Sequence, residues 1–191
     1  MFILGNKKIK ILIFILLILL GGCQTKSEKI FSYQKVLSPE EERQLLKEEQ
    51  KKLVKGPDGT IYYIKKSGQR LVFPDVGTYQ SWFDDFAAIP SLSLAELYKY
   101  PLAGNVFYKP GRYLLRTPTD NNIYFVAPGG VLRPFKSHRL VKKIYGRPWA
   151  QWVREIENYY FTNYQIGDLI KNPDALPLLK NNITIESNQK N

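Results

Sequence analysis

The sequence predicts an α+β fold: a small domain made of two related strand–strand–helix halves and preceded by a helical stalk. Two candidate β-hairpins, at residues 61–73 and 123–135, consist of aromatic and β-branched runs on either side of a tight turn. These hairpins match at an offset of 62 residues, which predicts an internal repeat. A helix-capping residue and apolar residues at helical spacing follow each of them.

The first 23 residues have the features of an export signal. Lys7, Lys8 and Lys10 precede an apolar run at residues 11–20, which is too short to span a bilayer core of about 20 residues. Gly21 and Gly22 then precede Cys23, the single cysteine. This pattern resembles the lipobox of bacterial lipoproteins. The alternative is an ordinary secretory signal followed by an incidental thiol.

The lipobox resemblance implies that residues 1–22 are removed and that Cys23 receives a diacylglycerol and an amide-linked acyl chain. Two or more chains anchor a protein stably, so we expect a lipid anchor on the extracytoplasmic face of the cell membrane. No thiol would then remain for a disulfide bond. Residues 23–37 are polar and lack a pattern, and we interpret them as a lipidated tether.

The stalk is predicted at residues 38–55. Ser38 and Glu41 form a capping box around Pro39, which is at the first helical position. The pair Gly56-Pro57 ends the helix, which we expect to continue to about Lys55. Its few apolar residues form only a weak stripe, which is more typical of a solvated stalk than of a core helix.

The globular domain is predicted at residues 56–171. In its first half, residues 61–64 and 69–73 form the hairpin, and a short helix follows that Asp75 or Thr78 caps. The apolar face of this helix has the spacing i, i+3, i+4, i+7 and consists of Tyr79, Trp82, Phe83 and Phe86. A second capping box begins at Ser93, and residues 105–116 form another candidate hairpin.

The second half repeats these elements. Residues 123–135 form its hairpin, and Ser137 caps a helix that Gly146 closes. A further helix is predicted from apolar residues with the spacing of the first half: Trp149, Trp152, Val153 and Ile156. Residues 172–191 have no clear period and a polar end, so we expect a disordered tail there.

One long ordered set of residues extends over most of the mature chain. It consists of residues 78–86, residues 104–111, the pairs Leu132-Arg133 and Tyr145-Gly146, Trp149, and the pair Asn163-Tyr164. The set resembles an uncharacterised aromatic-rich module found, often in tandem, in exported and surface-attached proteins of bacteria and archaea. The similarity covers residues 59–170, and it implies no activity or catalytic residue. Asn121 stands where the module has proline, and Pro134 where it has an aromatic residue.

The most informative functional feature is electrostatic. The chain has a net charge of +11, and residues 121–154 contain no Asp or Glu. We predict that the basic residues of this segment form a binding surface: Arg133, Lys136, Arg139, Lys142, Lys143, Arg147 and Arg154. The expected partner is an anionic envelope polymer or another surface protein, and the alternative is a face that only aids solubility. Nucleic acid is disfavoured because no recognition motif accompanies the charge.

The sequence contains little that predicts catalysis, and we expect neither a metal nor a cofactor. His138 is the single histidine and cannot form a triad or a zinc site without further ligands. A rival hypothesis is an envelope carbohydrate hydrolase with a carboxylate pair, which would draw on Asp84, Asp85, Asp75, Asp120, Glu155, Glu157 and Asp168. We therefore expect a non-catalytic binding or structural module on a cell-surface lipoprotein. A scaffold that contacts only its own copies is a third possibility.

Overall fold

Two mixed β-sheets and several short helices make up the part of the chain that the computed structural model describes, which is residues 37–86, 88–177 and 182–189. The predicted α+β class is confirmed. The signal segment at residues 1–22, Cys23 and all of the tether except Leu37 lie outside the described residues.

The first half of the chain contributes α1 (Pro39–Gln50), β1 (Leu53–Lys55), β2 (Ile61–Ile64), β3 (Arg70–Val72), α2 (Val76–Trp82), α3 (Leu94–Leu97) and β4 (Leu102–Asn105). The second half contributes β5 (Leu114–Thr117), β6 (Asp120–Ala127), β7 (Val131–Pro134), α4 (His138–Tyr145), a 3₁₀ helix (Arg147–Trp152), β8 (Val153–Glu155), α5 (Asn158–Phe161), β9 (Gln165–Ile166) and a second 3₁₀ helix (Pro173–Ala175).

Each sheet is an antiparallel meander of three strands, which one later parallel strand extends in the first sheet and two extend in the second. In the first sheet the order is β1-β2-β3-β4, and β4 joins β3 in parallel. In the second sheet the order is β8-β5-β6-β7-β9, where β9 joins β7 and β8 joins β5, both in parallel. The three added strands, β4, β8 and β9, follow helices of their half, because a parallel neighbour requires a crossover connection.

The hairpin register confirms the internal repeat. Tyr62 pairs with Val72 in the first hairpin, and Tyr124 pairs with Pro134 in the second, so both partners are shifted by 62 residues. The helix caps obey the same offset, because Asp75 caps α2 and Ser137 caps α4 through side-chain bonds to backbone N–H groups. The β1 and β5 strands correspond at an offset of 61, and the pairing of β5 with β6 is irregular between Leu115 and Thr117.

The helix α1 differs from the prediction at its end and in its contacts. Its capping box is present, but the helix stops at Gln50, and residues 53–55 form a strand instead. A strand is more favourable than a longer helix here because its pairing with β2 buries Leu53 completely. The helix also contacts the domain, since Glu42 binds Lys109 at 3.1 Å and the side chain of Glu49 is buried. It therefore packs on the first half rather than standing apart as a solvated stalk.

Two other predicted elements of the domain are wrong. The helix predicted around Trp149 and Trp152 is a 3₁₀ helix, and it leads directly into β8. Gly146, at a φ of 77°, ends α4, and Pro148 interrupts the helical backbone, so no regular helix continues there. The hairpin predicted at residues 105–116 does not form either, since β4 and β5 belong to different sheets.

The predicted disordered tail is also wrong for its described parts. Residues 173–175 form a 3₁₀ helix that the Asn172 side chain caps. Further along, Ile185 is fully buried in the core of the first half, and Asn188 is buried between the halves. Single apolar residues in a polar segment carry no period, which is why the sequence concealed this docking.

The core has one part in the first half and two in the second. In the first, Leu53, Tyr63 and Leu71 of the sheet pack with Tyr79 and Trp82 of α2. The second sheet is covered on both faces, because successive residues of β6 point to opposite sides. Phe125 packs with α4 on one face, and Tyr124 packs near α5 on the other.

Candidate functional site

Five of the seven predicted basic residues form an exposed surface on α4 and its two ends. This basic surface consists of Lys136, Arg139, Lys142, Lys143 and Arg147. The Ser137 side chain caps the start of α4 by accepting the N–H of Leu140. The inner side of the helix buries Val141 in the core. The charged side chains lie on the other side of the helix, as the spacing predicts. Within the described part of the chain, none of the five forms an ion pair.

The other two predicted basic residues are held by contacts inside the domain. Arg133 is half-buried, and its guanidinium donates to the carbonyl oxygens of Asp168 at 3.0 Å and Ala175 at 2.8 Å. Arg154 donates to the carbonyl of Gln151 at 2.8 Å and lies 4.3 Å from the ring centre of Tyr113. Both guanidinium groups donate hydrogen bonds to backbone carbonyl oxygens of the same domain, so we do not count Arg133 and Arg154 in the basic surface.

His138 is the first residue of α4 and is exposed. Its Nε2 atom lies 2.9 Å from the carbonyl oxygen of Asn121, and its ring centre lies 5.6 Å from that of Trp149. These contacts attach the start of α4 to the turn at the beginning of β6. They give His138 a structural role at the start of α4.

The aromatic residues of the resemblance set join the two halves. The indole N–H of Trp82 donates to the carbonyl of Phe107 at 2.8 Å, and the N–H of Tyr108 donates to the hydroxyl of Tyr164 at 3.0 Å. Burial raises the pKa of the Tyr164 hydroxyl well above its usual value. This part of the resemblance set therefore consists of packing residues.

A groove that the sequence did not predict lies beside α2, between the first hairpin and α5. Its volume is about 390 Å³. We call it the aromatic groove, and its lining includes Asp75, Val76, Tyr79, Phe86, Asn105 and Tyr160. The sequence could not predict this groove because Asn105 and Tyr160 come from elements 26 and 81 residues away from Tyr79.

The ring of Phe86 is an exposed aromatic face of this groove. Phe86 follows the end of α2 and is 56% exposed, although it was predicted on the apolar face of the helix. It stacks on Tyr79 with ring centres 4.7 Å apart and ring planes 7° apart. Tyr79 is buried, donates its hydroxyl to the carbonyl of Asp85 at 2.8 Å, and packs against Phe73 and Phe83. The buried tyrosine thus holds one face of Phe86 in place.

Asp75 is the single carboxylate among the described residues that line the aromatic groove. It caps α2 by accepting the N–H of Thr78 at 2.7 Å and its hydroxyl at 2.9 Å. It also accepts the hydroxyl of Tyr108, whose pKa is raised by burial and, next, by the charge of Asp75.

Other carboxylates proposed for the hydrolase hypothesis have partners elsewhere. Asp84 binds Arg112 at 2.9 Å, and Glu155 binds Arg116 at 2.8 Å. Asp120 accepts the hydroxyl of Tyr124 and the N–H of Asn122, and these bonds lower the pKa of the Asp120 carboxyl. Among the described residues, no group of three or more His, Cys, Asp or Glu side chains is placed to hold a metal ion.

Comparison with known proteins adds no family to this geometry. No protein-family model, curated protein or solved structure matches the chain. None of the helices in the described ranges combines the length and the hydropathy that a membrane crossing requires.

Proposed function

We propose that this protein is a lipid-anchored, non-catalytic module that attaches to an anionic polymer of the cell envelope. The observation that carries the proposal is the basic surface, which places five exposed cationic side chains within residues 136–147 and pairs none of them with a described carboxylate. Unpaired cations on one exposed helix face attract polyanions such as chains of phosphate groups.

The physical strength of this attraction depends on salt. A Lys or Arg near an anionic surface contributes about 1 kcal/mol, and charges farther apart than about 10 Å are screened at ordinary ionic strength. The eight residues of α4 extend over about 12 Å, so Arg139, Lys142 and Lys143 can act on one stretch of polymer together. Binding should therefore weaken steeply as salt is added.

Anchoring through Cys23 is part of the same proposal. Residues 24–37 could extend over roughly 50 Å, which would let the domain reach beyond the lipid surface. Mass spectrometry of the native protein is expected to show a diacylglycerol-modified Cys23 as the first residue. An intact leader peptide or an unmodified thiol would contradict the proposed location.

The binding test uses residues 36–191, which form one compact unit. A shorter fragment of residues 56–170 would lack Leu53 and Ile185 of the core. The fragment is incubated with isolated envelope at low salt and sedimented. Reversal of three charges in R139E/K142E/K143E is expected to weaken binding by about 100-fold or more, from about 1 kcal/mol per residue.

The matched control is K66E/K99E/K171E, which makes the same change in net charge at exposed positions outside the basic surface. Equal loss in both variants, or no binding of the original fragment at low salt, would contradict the proposal. Protease treatment of the envelope distinguishes a polymer from a surface protein, because only binding to a protein would be lost. Sizing the same fragment in solution tests the self-association hypothesis.

A further inference from the structure

We propose that the aromatic groove binds a neutral pyranose ring of a glycan chain. This inference concerns a different surface and a different ligand chemistry from the basic surface, so it does not rest on attachment to a polyanion. Three properties of the groove support it: a fixed aromatic face, an amide that bonds to no described residue, and a lining whose described residues include no basic side chain.

The aromatic face comes first. Because Tyr79 covers one face of the Phe86 ring, the exposed 56% of Phe86 lies on its other face and its edge. The C–H groups of a pyranose carry small positive charges, which match the negative face of an aromatic ring. Val76, which is also exposed, adds an apolar wall beside this ring. The stack on buried Tyr79 fixes the ring before any ligand arrives, so little side-chain entropy is lost on binding.

The polar groups of the groove suit sugar hydroxyls. The side chain of Asn105 forms no hydrogen bond to any described residue, although it is half-buried and lines the groove. An amide can donate through its NH₂ group and accept through its oxygen, as a pair of neighbouring hydroxyls requires. Thr78 and Tyr108 use three of the about four acceptor sites of the Asp75 carboxylate, so one site is left for a ligand.

Charge and size narrow the ligand class. Asp75 is the single charged residue among the described lining residues, so an anionic sugar would meet repulsion there with no cation in that lining to offset it. The volume of about 390 Å³ lies within the range of about 300 to 1,000 Å³ that is typical of small-molecule sites. A neutral sugar ring fits this combination of apolar face, free amide and single carboxylate.

The test measures binding of two probes to the full chain in a zwitterionic detergent, which avoids the sugar headgroups of glycosidic detergents. The probes are the β-1,4-linked trisaccharides of glucose and of N-acetylglucosamine, and affinity is measured by calorimetry and by saturation-transfer NMR. At least one probe is expected to bind, with an affinity that stays constant when salt is raised about tenfold, because no ion pair forms. Failure of both probes to bind at millimolar concentration would overturn the proposal.

Two variants test the site separately. Phe86→Ala removes the exposed ring, and Asn105→Ala removes the free amide from an edge strand without touching Tyr79; each is expected to weaken binding by about tenfold. Tyr98→Ala, at an exposed aromatic residue that does not line the groove, is the matched control and is expected to bind like the original protein.

Circular dichroism of each variant verifies the fold. Undiminished binding by either folded groove variant would overturn the proposal, and so would loss of binding in R139E/K142E/K143E, which would place the sugar on the basic surface. The same triple variant tests envelope binding under the proposed function, whereas Phe86→Ala and Asn105→Ala test only sugar binding. The two proposals can therefore fail independently.

Discussion

Glu49 connects three parts of the chain that the sequence did not place together, and removing it provides a sharp test of the fold. Its side chain is 3% exposed. One oxygen accepts Lys52 Nζ at 2.7 Å, and the other accepts the Tyr63 hydroxyl at 2.9 Å and the backbone N–H of Ile185 at 3.1 Å. Burial, followed by the charge of Glu49, raises the pKa of the Tyr63 hydroxyl well above its usual value.

We expect Glu49→Ala to lower the free energy of unfolding by about 3–5 kcal/mol. A buried donor that loses its partner costs about 1–3 kcal/mol, and two such donors remain, from Tyr63 and Ile185. The Lys52 side chain is 28% exposed and can turn toward water, so its contribution is smaller. In Glu49→Gln the amide oxygen can still accept from Tyr63 and Ile185, while the NH₂ group lies opposite Lys52. We therefore expect an intermediate loss of about 1–3 kcal/mol in the free energy of unfolding.

The assay is guanidinium unfolding of residues 36–191, followed by the fluorescence of tryptophan, since Trp82 belongs to the same core. Hydrogen exchange at residues 182–189 should be faster in Glu49→Ala, because the N–H of Ile185 loses its acceptor. The control is Glu48→Ala, which removes an exposed pair with Lys51 and should cost less than about 0.5 kcal/mol. A loss of less than about 1 kcal/mol in the free energy of unfolding of Glu49→Ala would refute the reasoning. Equal losses in Glu49→Ala and Glu48→Ala would also refute it.

Two further predictions concern the repeat and alkaline pH. Gly68→Ala and Gly130→Ala change equivalent turn positions with φ of 78° and 68°, but an added Cβ meets nothing at Gly68 and lies 2.6 Å from the buried Phe107 ring at Gly130. The free energy of unfolding should fall by about 1–2 kcal/mol in Gly68→Ala, because of backbone strain. Gly130→Ala should add to this strain a loss of about 1–3 kcal/mol from overpacking, and equal losses in the two variants would contradict the prediction. Burial and the bond to Asp120 raise the pKa of Tyr124 to about 12. Because an unfolded tyrosine ionises near about pH 10, the unfolded state loses a proton first, so stability should fall from about pH 10 to 12 and fall less steeply in Tyr124→Phe.

Local signals predicted the repeated core of the fold. The hairpins at residues 61–73 and 123–135, both capping boxes and the caps at Asp75 and Ser137 depend on residues close in sequence, and all of these are present. The parallel strands β4, β8 and β9 were missed because they have two to four residues and gain their partners from distant parts of the chain. A strand of two residues has no detectable period.

The candidate sites were predictable to different degrees. The charge run at residues 121–154 indicated the basic surface directly, although it could not reveal that Arg133 and Arg154 bind carbonyl oxygens inside the fold. The aromatic groove depends on three-dimensional packing of α2, β4 and α5, and Phe86 had been assigned to a helix face. Exposure of one ring on top of a buried ring is a tertiary property that spacing alone does not encode.

The docking of Ile185 has a consequence for how the protein is made. Ile185, which completes the first core, comes 103 positions after Trp82. A nascent polypeptide that stops at residue 170 already contains every strand of both sheets, yet it lacks this closing side chain and the N–H that Glu49 accepts. Termination of translation after residue 170 would therefore damage the half that was synthesised first.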